Sequence, residues 1–180
     1  MSHAIAVVIP ARNEEELIGR CLRSVLAARH SSAVPAPIIV VADGCLDATA
    51  EIARGFPEVT VLEIESSNVG AARAAGAEIA IARGARWLAN TDADSMVPRN
   101  WLDAQLDFAA AGRDLAIGTV RPDFRDLDPE QRRAWHSTHV RGRPNGHAHG
   151  ANLGVRTALY RAIGGYRSLP STRTTTWSTA

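Results

Sequence analysis

The chain has 180 residues, 46% of them hydrophobic, 22% charged and 5% aromatic, with a formal net charge of +1. That length predicts one domain, two at most, and enough chain to bury a core. The composition is too apolar for intrinsic disorder and too neutral for a nucleic-acid footprint or a polybasic membrane patch. All twenty basic residues are arginine, and the two cysteines, Cys21 and Cys45, are too few for a disulfide framework or a structural zinc site. No apolar run approaches the ~18–20 residues of a membrane span. The apolar start, Ala4 to Ile9, runs into Pro10 and an acidic stretch, which is unlike a signal peptide. A cytoplasmic protein is expected, with peripheral attachment to the inner face of a membrane and homo-oligomerisation left open.

Ala4 to Ile9 reads as a short buried strand that Pro10 ends. Asn13 is placed to cap a helix with Glu16 at its third position, and Leu17, Ile18, Cys21, Leu22, Val25 and Leu26 then repeat at helical spacing. Ile38 to Ala42 is a second strand, Asp43-Gly44 a turn, and Asp47 an N-cap for a helix from Ala48 to about Arg54. Val59 to Ile64 alternates as a third strand. Asn68 to Arg83 is an alanine-rich helix whose small side chains allow close approach to a sheet or a ligand. Trp87 to Asn90 is a fourth strand, Trp101 to Ala111 a helix, and Leu115 to Val120 a fifth strand. Such alternation implies an α/β fold, a mainly parallel, Rossmann-like sheet with helices on both faces. Ligands bind such sheets at the carboxyl ends of the strands.

Polar side chains follow directly after three of these strands: Asn13 and Glu14, then Asp43, then Asp92 and Asp94. Each alone is an ordinary turn former, but parallel strands bring them to one rim. Two carboxylates separated by one residue, Asp92 and Asp94, can share a hard divalent cation, and Mg2+ or Mn2+ keeps positions open for water and phosphates.

Five segments in order resemble the family 2 glycosyltransferases, which have the GT-A fold. They are Val8-Ile9-Pro10-Ala11-Arg12-Asn13-Glu14, Val41-Ala42-Asp43-Gly44-Cys45-Leu46-Asp47-Ala48-Thr49, Asn68 to Gly76, Asp92-Ala93-Asp94, and Gly150 to Arg156 with Ile163-Gly164-Gly165-Tyr166. The resemblance implies a glycosyltransferase domain over residues 1–166, with a nucleotide-binding half to about 120 and an acceptor-side half over 121–166. It implies transfer of a sugar from a nucleotide-diphosphate donor to an acceptor, with inversion and with Mn2+ or Mg2+ as cofactor. On this likeness Pro10, Ala11, Arg12, Asn13 and Glu14 lie against the nucleoside. Asp43 bonds the base with Arg73 nearby, Asp92 approaches the ribose, and Asp94 holds the metal beside Asp92. His147, Gly150 and Asn152 fall on the acceptor side. The donor sugar, the base and the acceptor are not specified.

Two positions depart from the second motif: Ala42 stands where the family often has a first aspartate, and Cys45 where it has serine. Cys45 reads as a small, semi-buried substitute rather than a nucleophile, since no histidine is close in sequence. His136, His139, His147 and His149 cluster within fourteen residues. The simpler reading is a polar loop near the acceptor, with His149 as a candidate for completing the metal shell.

The family places an acidic pair after Gly165-Tyr166, and its aspartate is the general base. Here residues 167–180 contain no carboxylate. An arginine-only basic set suggests GC-rich codons. Back-translated so, the stretch from Ser171 read from its third base gives His-Glu-Asp-Asp-Asp-Leu-Val-Asp. The expectation is therefore a frameshift between Leu169 and Ser171, an aberrant and disordered tail over 167–180, and no general base. The catalytic residue is left unassigned, and a nucleotide-sugar-binding module without catalysis becomes the alternative. A sugar-nucleotide nucleotidyltransferase fits less well, because it needs a glycine-rich basic loop after the first strand, where this chain has Pro10 to Glu16.

Overall fold

Six strands form a single sheet in the computed structural model, which describes residues 4–140 and 150–167. The elements are β1 (Ala6–Ala11), α1 (Ile18–Ser31), β2 (Ile38–Asp43), α2 (Thr49–Arg54), β3 (Val59–Ile64), α3 (Val69–Ala82), β4 (Trp87–Asn90), α4 (Trp101–Ala110), β5 (Leu115–Ile117), α5 (Pro129–Thr138), β6 (Leu153–Arg156) and α6 (Thr157–Ala162). The strand order is β3-β2-β1-β4-β6-β5. The first four strands are mutually parallel, and β6 runs antiparallel to both β4 and β5. The chain steps outward from β1 to β3 and then returns to place β4 on the other side of β1. That reversal opens a crevice at the carboxyl ends of β1 and β4.

Alternation along the strands divides the core into two layers. Val7, Ile9, Ile38 and Val40 face Cys21, Leu22 and Val25 of α1, with Trp101 and Leu102 of α4. Val8, Ile39 and Val41 face Ala72, Ala77 and Ala80 of α3, with Tyr160 of α6. The expected closeness of the alanine-rich helix is real. A Cβ on Gly76 would lie 2.5 Å from Cγ1 of Val8 and 3.1 Å from Cγ2 of Val41, so only glycine lets α3 sit this near the sheet.

Several local expectations are corrected. Pro10 does not end the first strand, which pairs with β2 through Ala11. Val7 N–H bonds toward the β2 side, so the Pro10 nitrogen faces the β4 side, beyond the last pair, Val8 with Asn90. No ladder bond is lost there. Asn13 does not cap α1. It adopts a left-handed φ of 53°, a Glu14–Leu17 turn intervenes, and the helix begins at Ile18. Asp47 is not the N-cap of α2: the helix starts at Thr49 with Ala48 at the cap position, and the Asp47 carboxylate accepts from Thr49 N–H from one residue further back. The fifth strand stops at Ile117 rather than Val120, because β6, its only partner among the described residues, is short. β6 and α5 were not anticipated: β6 has four residues, one of them Gly154, and α5 has no buried side chain to give a periodic apolar face.

Candidate functional site

The loops after β1 and β2 are tied to each other at the crevice. Leu46 N–H donates to Asn13 Oδ1 (2.8 Å), Glu14 N–H to Thr49 Oγ1 (2.7 Å) and Glu15 N–H to Asp47 Oδ2 (3.1 Å). Ala48 N–H returns a bond to Glu15 Oε2 (3.0 Å), and the Cys45 thiol faces the Ala11 carbonyl at 3.6 Å. Thr49 is fully buried and donates in turn to Asp47 Oδ1 (2.5 Å). Burial raises the Asp47 carboxyl, but the bonds from Thr49 and Glu15 outweigh it and hold it below the ordinary range. Pro10 and Ala11 are buried under this lattice, while Arg12 and Asn13 are exposed above it.

Asp43 ends β2 and organises the next loop. Its Oδ1 accepts from Ser66 N–H (2.7 Å) and Ser67 N–H (2.8 Å), and its Oδ2 from Ser66 Oγ (2.7 Å) and Asn68 N–H (2.7 Å). Burial pushes this carboxyl up, but the four donors win, and it titrates below its usual value. Ser67 has a left-handed φ of 51°, the bend that aims these N–H groups at one side chain. Asn68 then caps α3, accepting from Ala71 N–H.

Asp92 follows β4 and meets Arg73 of α3, whose Nη2 lies 2.5 Å from Asp92 Oδ1. The guanidinium is the more enclosed partner, its side chain 14% exposed against 37% for the carboxylate. Asp94 is exposed and bonds Ser95 Oγ at 3.2 Å. The Glu14 carboxyl is raised by burial and then by the charges of Asp94, Asp47 and Asp92. The Cys21 thiol lies beneath, 3.4 Å from the Asp92 carbonyl, and is pushed up to about 12 by burial and by Asp94, Asp92 and Glu14. It is therefore a neutral thiol. Glu14 thus feels the charges of Asp92 and Asp94 at the carboxyl ends of β1 and β4, and Arg73 pairs with Asp92. Among the described residues no three acidic, histidine or cysteine side chains are grouped closely enough to hold a metal ion.

The acceptor-side residues divide. Gly150 packs directly on Arg73, where a Cβ would fall 2.3 Å from Nη2. Asn152 is used structurally: it accepts from Trp101 Nε1 (3.0 Å), donates to the Thr119 carbonyl (3.1 Å), and its own carbonyl accepts from Gly118 N–H. His147 and His149 lie outside the described residues, as do residues 168–180 of the anticipated tail. One participant lies inside the second motif without standing out from it. Thr49 looks like an ordinary helix residue, and only the fold shows its hydroxyl accepting from Glu14 N–H and donating to Asp47.

The glycosyl transferase family 2 model matches residues 6–164. The chain belongs to that family. It is 37% identical over 65 residues to the 4,4'-diaponeurosporenoate glycosyltransferase of Staphylococcus aureus, which covers 36% of this chain and 16% of that protein. Among solved structures, the mannosyltransferase PcManGT from Pyrobaculum calidifontis, in complex with GDP-Man and Mn2+, superposes with a TM-score of 0.62 at 19% identity. The match covers 93% of this chain and 48% of PcManGT. TarS 1-349 of S. aureus, in complex with UDP-GlcNAc, gives a TM-score of 0.63 at 18% identity over 92% of this chain and 48% of that one. The chain thus spans half or less of the length of these relatives. The fold is that of the GT-A family 2 glycosyltransferases, with the expected mainly parallel sheet and helices on both faces. No helix among the described residues is long and apolar enough to cross a membrane.

Proposed function

We propose that this protein binds a nucleotide-diphosphate sugar in the crevice between β1 and β4 and transfers the sugar, with inversion, to an acceptor hydroxyl. The observation that carries the reading is that Glu14, Asp92 and Asp94 follow β1 and β4, where the strand order reverses, with Arg73 paired to Asp92. The complexes of PcManGT with GDP-Man and Mn2+ and of TarS with UDP-GlcNAc support it by fold.

Asp92 and the exposed Asp94 offer the oxygen donors a hard divalent cation takes, and such a cation relieves the carboxylate charge that raises Glu14. Water and the donor phosphates are left to supply the remaining ligands, because no three protein ligands are grouped among the described residues. Asp94 would hold Mn2+ or Mg2+, with Asp92 beside it. When bound, such a cation offsets the negative charge developing on a diphosphate leaving group. Asp92 approaches the ribose, kept in place by Arg73. Asp43 serves the base side by shaping residues 66–68 into a wall of the pocket, with Pro10 to Glu14 as the opposite wall. Transfer forms a bond from the acceptor oxygen to the anomeric carbon and breaks the bond to the diphosphate, and the acceptor proton passes to a base. The second reading raised by the sequence is a module that binds donor without transfer.

Calorimetry with UDP, GDP and TDP, with and without Mn2+, tests the proposal. Mn2+-dependent binding of one nucleotide, lost in Asp94→Asn, is expected. Binding of none would overturn both readings. Binding without hydrolysis or transfer in a donor-sugar screen would favour the module.

A further inference from the structure

Arg73 is held by little bonding of its own. Its Nη2 pairs with Asp92 Oδ1 at 2.5 Å, and its Nε–H is buried without a hydrogen-bond partner among the described residues. What confines it is packing against Gly150. A Cβ on that glycine would fall 2.5 Å from Cζ and 2.9 Å from Nη1, and closer still to Nη2. The guanidinium therefore fills the place of the missing side chain. The backbone at Gly150 does not itself ask for glycine, because its φ is not left-handed. Nor is Gly150 free to retreat. It opens a short turn, Gly150–Asn152, whose far end is anchored. Asn152 Oδ1 accepts from Trp101 Nε1 (3.0 Å), its Nδ2 donates to the Thr119 carbonyl (3.1 Å), and its carbonyl accepts from Gly118 N–H (2.8 Å). Leu153 then pairs with Asn90, two residues before Asp92.

We propose that Gly150 is a positioning residue for Arg73, and through it for Asp92: the turn before β6 seats the guanidinium, and a residue with no side chain is what makes the seat. This rests on the reading of Asp92 as the ribose contact. A guanidinium paired through one nitrogen can swing about its stem, whereas one wedged against an anchored backbone keeps its fork on the carboxylate. A methyl added at 150 meets the far end of a flexible side chain rather than backbone, so Arg73 yields and leaves Asp92 while the fold persists. A residue that motif likeness puts on the acceptor side thus sets the geometry of the donor side.

The test compares Gly150→Ala, Arg73→Ala and the double variant in the full chain, with the fold checked by circular dichroism. The first readout needs no ligand: the Arg73 guanidinium resonances, assigned by their loss in Arg73→Ala. Hindered rotation should keep the Nη1 and Nη2 signals apart in the unmodified protein, and they should merge in Gly150→Ala. The second is the urea midpoint, which Gly150→Ala should lower in the unmodified protein and leave unchanged in the Arg73→Ala background. The third is the ratio of affinities for UDP or GDP and their 2′,3′-dideoxy forms in Mn2+. Loss of one hydrogen bond should reduce that ratio about fivefold in Gly150→Ala. Separate Nη signals and unaltered ribose discrimination in that variant would overturn the proposal. So would an equal loss of midpoint in both backgrounds, because the backbone itself would then require glycine at 150. Should Gly150→Ala not fold, the double variant should, and its failure would overturn the proposal as well. If the unmodified protein binds neither nucleotide, the transferase reading fails, while the Arg73 signals and the midpoints still decide this one.

Discussion

Replacing Asp43 by asparagine removes a negative charge and turns one acceptor oxygen into a donor. The carboxylate takes four bonds of 2.7–2.8 Å from Ser66, Ser67 and Asn68 at a site 3% exposed. An amide keeps one oxygen for Ser66 and Ser67 N–H, and the Ser66 hydroxyl can turn to accept, but Asn68 N–H then faces an NH2 group. Three bonds fall from charge-assisted to neutral strength and one N–H is left opposed, which together costs roughly 3–4 kcal/mol. For a chain of this size that lowers the melting temperature by about 10 °C. Urea unfolding of both proteins at neutral pH measures the gap. The Asp43 carboxyl titrates lower in the folded state than its ordinary 3.8. Its contribution is therefore fully present above pH 3.8 and is lost as pH falls through the folded value, so the gap should narrow toward acid. A gap under about 1 kcal/mol at pH 7, or one that widens on acidification, would refute this account of the loop.

Glu14 has the opposite sign. Its carboxyl is raised above 4.5 by burial and by Asp94, Asp47 and Asp92, so its favourable contribution is present below pH 4.5 and is lost as pH rises through the folded value. Glu14→Gln should therefore melt higher than the unmodified protein at pH 7 without divalent cation, and the two should converge below pH 4.5; scanning calorimetry across pH checks both. Thr49→Val removes the acceptor for Glu14 N–H and the donor to Asp47, and should cost about 1–2 kcal/mol in urea unfolding. Hydrogen exchange at Glu14 and Glu15 should speed up in the same variant. Gly76→Val drives side-chain carbons into Val8 and Val41 and should destabilise by about 3 kcal/mol, visible as a lower urea midpoint.

The order of motifs and the strands β1 to β4 were legible because they rest on local rules. Runs such as Ile38 to Ala42 are apolar in unbroken sequence when a strand is buried on both faces, and turn residues mark their ends. The positions of Glu14, Asp43, Asp92 and Asp94 after those strands follow from parallel pairing alone. What failed locally failed for non-local reasons. Asn13 has the chemistry of a helix cap, but its side chain accepts from Leu46, 33 residues away, and the helix starts later. β6 is four residues long and exists because β4 and β5 flank it.

The sequence by itself determined the fold class, the family and which carboxylates reach the crevice, because periodicity and motif spacing are properties of neighbours along the chain. Only the tertiary structure decided how those groups are used. Asp43 is saturated by its own loop, Arg73 is turned onto Asp92, and Gly150 of the later segment packs against that arginine. Such pairings join residues 19 to 77 positions apart. Their distances are set by how closely α3 packs on the sheet at Gly76 and where β6 enters it, which no local pattern encodes.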